Sequence, residues 1–93
     1  MRLTPKERRI IVEVVRDVFG ASEIYLFGSR LDESRVGGDI DLFVIPKERG
    51  RLLQKRLLAL HRLKSRLFKP VDLVVHKDFS RHIEKEALRG VRL

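Results

Sequence analysis

The segment Asp39-Ile40-Asp41-Leu42-Phe43-Val44 constrains the fold more than any other part of this chain. Its two-residue alternation is that of a β-strand, with Ile40, Leu42 and Val44 on one face and Asp39, Asp41 and Phe43 on the other. Aspartate is depleted in strands, and an apolar run of this kind is normally buried, so the two carboxylates need a reason to be there. Like charges on one strand face repel. A solvated edge strand carries them at little cost. A divalent cation removes the conflict outright, because carboxylates are hard-oxygen ligands and magnesium takes one or two of them with phosphate oxygens and water.

The flanking pattern supplies the other elements. Thr4-Pro5-Lys6-Glu7 is a capping-box signature with proline at the first helical position, and Ile10, Ile11, Val14, Val15 and Val18 follow at a helical period, so a helix is expected from Pro5 to Phe19, ended by Gly20. Glu23 to Phe27 reads as a first strand stopping at Gly28-Ser29, and Arg30 to Gly38 as a polar loop closed by Gly37-Gly38. Pro46 ends the second strand. A long helix is expected from Arg51 to Phe68, with an apolar sector of Leu52, Leu53, Leu57, Leu60, Leu63, Leu67 and Phe68. Arg51, Lys55, Arg62, Arg66 and Lys69 form a basic ridge on its other side. Pro70 breaks that helix, Val71 to Val75 is a third strand, and Phe79 to Arg89 reads as a closing helix stopped by Gly90. The order implies an α/β (α+β) domain over residues 1–93, a small mixed sheet with helices packed on it.

Composition narrows the function classes. With 93 residues the chain fits one small domain, which hides only about two thirds of its unfolded surface, so a sizeable substrate must be held partly by something else. There is no cysteine, which excludes disulfides and thiolate metal sites and makes the cytoplasm the default address. The charged N-terminus lacks a signal peptide's apolar stretch, and the longest apolar run, Leu42 to Ile45, is far too short to cross a bilayer, so a soluble protein with no membrane partner is expected. Asparagine is absent, Gln54 is the sole glutamine and 37% of residues are charged, a bias of proteins from hot environments.

Three features bear on chemistry. Gly28-Ser29 after a strand is by itself an ordinary turn, or a place where backbone amides and the Ser29 hydroxyl meet a phosphate, with Arg30 adding a charge-assisted contact. Asp39 and Asp41 are the strand pair above. Asp72 repeats the pattern among Val71, Leu73, Val74 and Val75. A lone strand aspartate usually pairs with a surface cation. Together, however, a phosphate-suited turn, a carboxylate pair and a third strand carboxylate make one coherent device for phosphoryl chemistry.

Gly28-Ser29-Arg30, the nine residues from Arg30 to Gly38, Asp39-Ile40-Asp41 and the downstream Asp72 resemble the signature of the minimal nucleotidyltransferases of the polymerase-β-like superfamily. The resemblance runs from the first helix to the final Glu86-Ala87-Leu88-Arg89-Gly90 segment. It implies that Gly28 and Ser29 hold the phosphates of ATP or another nucleoside triphosphate, and that Arg30 neutralises the departing pyrophosphate. Asp39, Asp41 and Asp72 would bind Mg2+, with Asp72 also taking the acceptor's proton. The implied reaction moves a nucleoside monophosphate, AMP foremost, to a hydroxyl.

Relatives of this size are paired with a small helical protein of the HEPN class, so a tyrosine of such a toxin is the implied acceptor, the chain an antitoxin, and the assembly a hetero-oligomer. Two other readings stay open: a non-catalytic antitoxin or nucleotide-binding subunit acting by occupancy, and a basic RNA-binding module using the ridge. No aromatic residues interleave that ridge, which weakens a stacking role. Tyr25, central in the first strand, reads as core, and His61, His76 and His82 lack metal-ligand spacing.

Overall fold

The computed structural model describes residues 3–28 and 39–93. Helix α1 (Pro5–Phe19) opens with a reciprocal cap: Thr4 Oγ1 accepts from the Glu7 amide at 3.1 Å and the Glu7 carboxylate accepts from the Thr4 amide at 3.1 Å. Gly20 closes it at φ 76°, a conformation that favours glycine. Then follow β1 (Ser22–Phe27), β2 (Ile40–Pro46), α2 (Leu52–Leu67), β3 (Val71–Val75), α3 (His82–Ala87) and β4 (Val91–Arg92).

The strands form one sheet in the order β3-β2-β1-β4. β1 is antiparallel to β2 and to β4, while β2 and β3 are parallel, as their connection through a crossover helix requires. Ile24 and Leu26 of β1, Ile40, Leu42 and Val44 of β2, and Val71, Leu73 and Val75 of β3 pack with α1 and α2 in the main core. Phe27, Phe43 and Ala87 form a smaller cluster on the opposite face, where α3 covers only part of the sheet. The alternation read from Asp39 to Val44 therefore holds, and the face left thin by α3 is the one that carries Asp41.

Several expectations are corrected. In α2 only Ala59, Leu63 and Leu67 are buried, while Leu53, Leu57 and Phe68 from the predicted apolar sector are 66%, 56% and 88% exposed. α1 shares the same sheet face, and the width left to α2 admits a narrow stripe. Arg51 and Phe68 lie outside the helix as its caps, both at positive φ. The closing helix is shorter than Phe79 to Arg89, because the Asp78 carboxylate accepts from the Ser80 amide and hydroxyl at 2.9 and 2.8 Å and holds a turn there. Gly90 does not merely stop it. A β-carbon at Gly90 would overlap the Leu26 carbonyl oxygen, and this close approach returns the chain to the sheet as β4, a strand too short to be seen in the pattern.

Three of the five cations of the basic ridge are paired from within. Lys69 Nζ lies 2.6 Å from Glu7, Arg66 3.4 Å from Glu13 and Arg62 3.9 Å from Asp17, so α1 supplies a carboxylate opposite each. Among the described residues no helix is long and apolar enough to cross a membrane.

Candidate active site

The described site residues, Gly28, Asp39, Asp41 and Asp72, fall at the sheet end where β1 finishes and β2 and β3 begin. Asp41 is in register with Phe27 of β1 on one side and with Asp72 of β3 on the other. Registered residues of a parallel pair project to the same face, and Phe43 and Val74, two residues further along each strand, both meet the α3-side cluster. The structure thus brings Asp41 and Asp72 side by side on the sheet face opposite the main core. Asp41 is half-buried and Asp72 is exposed. Asp39 precedes β2 and is exposed, two residues before Asp41.

Gly28 meets Asp41 directly. It has φ 76°, and a β-carbon on it would overlap the Asp41 carboxylate, with Cγ of Asp41 only 3.0 Å away. The glycine is required both by its backbone and by the space the carboxylate fills. Ser29 and Arg30, and the loop expected from Arg30 to Gly38, lie outside the described residues.

Asp72 has a cationic neighbour that sequence reading did not single out. Arg56 reaches from α2 around the outer edge of β3, donating from Nε to the Leu73 carbonyl oxygen at 2.8 Å and standing 3.9 Å from Asp72 Oδ1. Both side chains are substantially exposed, so this pair holds Asp72 only weakly. The predicted carboxylates offer only hard oxygen donors, which suit a divalent cation. Among the described residues, no three His, Asp or Glu side chains stand preassembled around a common metal position.

A second cluster was missed in the sequence. Glu84 is fully buried, accepting from the amides of Lys77 and Asp78 at 2.8 and 3.0 Å and from Arg81 at 2.9 Å, and its Oε1 is 2.6 Å from His76 Nδ1. Burial alone would raise the Glu84 pKa, but the His76 contact and the two amides outweigh it and hold the carboxyl below its ordinary range. An ionised carboxylate only accepts, so His76 Nδ1 carries the hydrogen. The ring of His76 stacks on Phe79 with centroids 3.8 Å apart and meets Phe43 edge-on. The network fixes the 76–81 segment that runs on from β3. Its one sequence signal is that Glu84 falls between Ile83 and Ala87, on the face of α3 that must be buried.

A comparison with curated proteins gives no match. Among solved structures, the chain is similar to one in the crystal structure of the toxin-antitoxin MntA-HpeT, in a mutant with two aspartates changed to glutamate. That similarity is 30% in sequence, with a TM-score of 0.58, and covers 74% of this chain and 55% of the other, so the match spans about half of the solved relative. The family model for polymerase beta, nucleotidyltransferase, matches residues 10–93. With that match over nearly its whole length and a mixed four-stranded sheet bearing helices in the corresponding fold, the chain belongs to the polymerase-β-like nucleotidyltransferase family.

Proposed function

We propose that this domain is a magnesium-dependent nucleotidyltransferase that moves AMP from ATP onto a hydroxyl of a partner protein, a tyrosine of a HEPN-type toxin, and so acts as an antitoxin. The observation that carries the reading is the lateral register of Asp41 and Asp72 beside Gly28, in a chain of a nucleotidyltransferase family. The pairing with a toxin is supported by similarity to a chain of the toxin-antitoxin MntA-HpeT structure.

In this reading the exposed turn at Gly28 receives the triphosphate, whose oxygens accept from backbone amides, while Ser29 adds a hydroxyl and Arg30 a charge. Asp39, Asp41 and Asp72 hold the cation, which when bound stabilises negative charge on the phosphate oxygens and lowers the pKa of the acceptor hydroxyl. The acceptor oxygen attacks the α-phosphorus in line. Its proton passes to the Asp72 carboxylate, the bond from the α-phosphorus to the bridging oxygen breaks, and pyrophosphate leaves. The attached phosphate adds negative charge and bulk to the partner's surface.

The test is incubation with labelled ATP, magnesium and the partner encoded beside this chain. Transfer of label to the partner is expected, with loss in Asp41→Asn and Asp72→Asn. A second reading, neutralisation by occupancy alone, draws support from the exposed Leu53, Leu57 and Phe68 on α2. It requires those same aspartate variants to protect cells fully.

A further inference from the structure

We propose that the groove along the outer edge of β3 is the acceptor-docking surface of this domain and takes an acidic, aliphatic polypeptide segment of a partner protein. The inference rests on the reaction proposed above for the direction of transfer. The surface itself is argued from its own shape and charge.

The groove encloses about 450 Å³ between the start of α2 and β3. Leu53, which is 66% exposed, lies with Leu52 on one side, and Val74 on the other; Asp72 stands in its wall. Three cations, Arg56, Lys77 and Arg81, face one carboxylate, Asp72, around it. Apolar floor and cationic rim together suit a ligand that has both aliphatic side chains and negative charge. An RNA strand would use the rim but leave the floor idle, and no aromatic side chain lines the groove to stack a base.

Position and rigidity add to composition. In the sheet order Asp72 is the outermost carboxylate, with Asp41 next and Gly28 beyond it, so the groove opens on the side opposite the turn assigned to the triphosphate. A hydroxyl presented from the groove reaches Asp72 first. The far wall is built rather than loose: buried Glu84 accepts from the Lys77 amide and the Arg81 guanidinium, fixing the Lys77 backbone and the Arg81 head group. Arg56 occupies the Leu73 carbonyl on the open edge, which blunts indiscriminate strand addition and leaves selection to side chains. Arg56 and Arg81 each also touch an acid, Asp72 and Glu84, so Lys77 is the rim cation with the most freedom to meet a ligand.

The test uses the full chain and a fluorescein-labelled synthetic peptide of alternating glutamate and leucine around one tyrosine. Two further probes carry lysine in place of glutamate, or are single-stranded oligoadenylate. The acidic peptide is expected to bind with a Kd below about 1 mM, to shift amide resonances at Leu53, Asp72, Val74 and Lys77, and to bind at least tenfold more weakly to a Leu53→Ser/Lys77→Glu variant whose melting curve is unchanged. Binding that is absent, that maps elsewhere, or that survives this double substitution overturns the proposal, as does equal binding of the lysine peptide or of oligoadenylate in the groove. Binding is read without nucleotide, so the two proposals fail separately. A peptide that docks in the groove but is never labelled from ATP sinks the reaction and leaves the surface, whereas labelling that ignores Leu53 and Lys77 sinks the surface alone.

Discussion

The α-carbon of Gly28 lies against the carboxylate of Asp41, in a space that no β-carbon can share. Gly20 has the same φ of 76° with nothing within 4 Å of the position a β-carbon would take. The two glycines therefore separate backbone strain from displacement of the acid. Gly20→Ala and Gly28→Ala should each lose about 1–3 kcal/mol from the unfavourable dihedral. Only Gly28→Ala moves the Asp41 carboxylate, and misplacing a reacting group by about an ångström costs on the order of a hundredfold in rate. Thermal melts should show similar losses for both variants, and transfer assays should show a collapse in Gly28→Ala alone.

Asp72 and Asp41 are like charges in register on adjacent strands, an arrangement that costs stability unless something else needs it. Asp72→Asn should leave the folded domain unchanged or more stable by less than about 1 kcal/mol, since its exposed contact with Arg56 at 3.9 Å is weak. Nucleotide transfer should fall by at least about a hundredfold, the scale set by losing a positioned proton acceptor. A variant both less stable and fully active would assign Asp72 a structural role instead.

Elements governed by local chemistry were legible. The Thr4–Glu7 cap, the Gly20 stop and the alternation from Ile40 to Val44 are each set by neighbours in sequence, and α1 and β3 begin and end where the pattern placed them. That Asp39, Asp41 and Asp72 share one site is an expectation of the family resemblance; the register of Asp41 with Asp72 is read from the structure, since periodicity alone says nothing about register between strands. What escaped reading depends on tertiary competition. The width of the apolar stripe that α2 could bury depended on where α1 lay. β4 exists because Gly90 can approach the Leu26 carbonyl. The ridge from Arg62 to Lys69 looked outward until α1's acids were found opposite it. Glu84 was missed because a glutamate in a short charged helix is ordinarily solvated, and its partners at residues 76 to 78 are on another element.

Glu84 ties the 76–81 segment to α3. Glutamine keeps an acceptor oxygen for the Lys77 and Asp78 amides but lacks the charge that Arg81 and His76 face, so Glu84→Gln should cost about 1.5–3 kcal/mol, the scale of hydrogen bonds to a charged group. Its folded pKa is lowered, so the carboxyl contributes stability above its unfolded value of about 4.3, and that contribution is lost as pH falls through the folded value. Acid unfolding followed by circular dichroism should be less steep in Glu84→Gln than in the parent. An unchanged steepness would mean that the carboxyl does not couple to folding.

The seam between α1 and α2 contains one pair unlike its neighbours. Arg66–Glu13 and Arg62–Asp17 are solvent-exposed, and Arg62→Ala or Arg66→Ala should each cost less than about 1 kcal/mol. Glu7 has a side chain only 12% exposed, pairs with Lys69 at 2.6 Å and also closes the Thr4 cap. Burial would raise its pKa, but the Lys69 and Thr4 hydrogen bonds outweigh that and lower it. Glutamine can replace glutamate in a capping box, so Glu7→Gln removes the charge and keeps both capping bonds, while Glu7→Ala also removes the acceptor of the Thr4 amide, leaves Thr4 Oγ1 on the residue 7 amide, and should be less stable by a further 0.5–1.5 kcal/mol, roughly the worth of one hydrogen bond. Because the folded pKa is depressed, the charge stabilises above the ordinary carboxylate range and ceases to do so as pH falls through the folded value. Urea titrations at neutral pH and at pH below that range should therefore separate parent from Glu7→Gln in the first condition and bring them together in the second. Curves separated by the same amount at both would remove the Lys69 pair from the account and leave the cap as the sole contribution of Glu7.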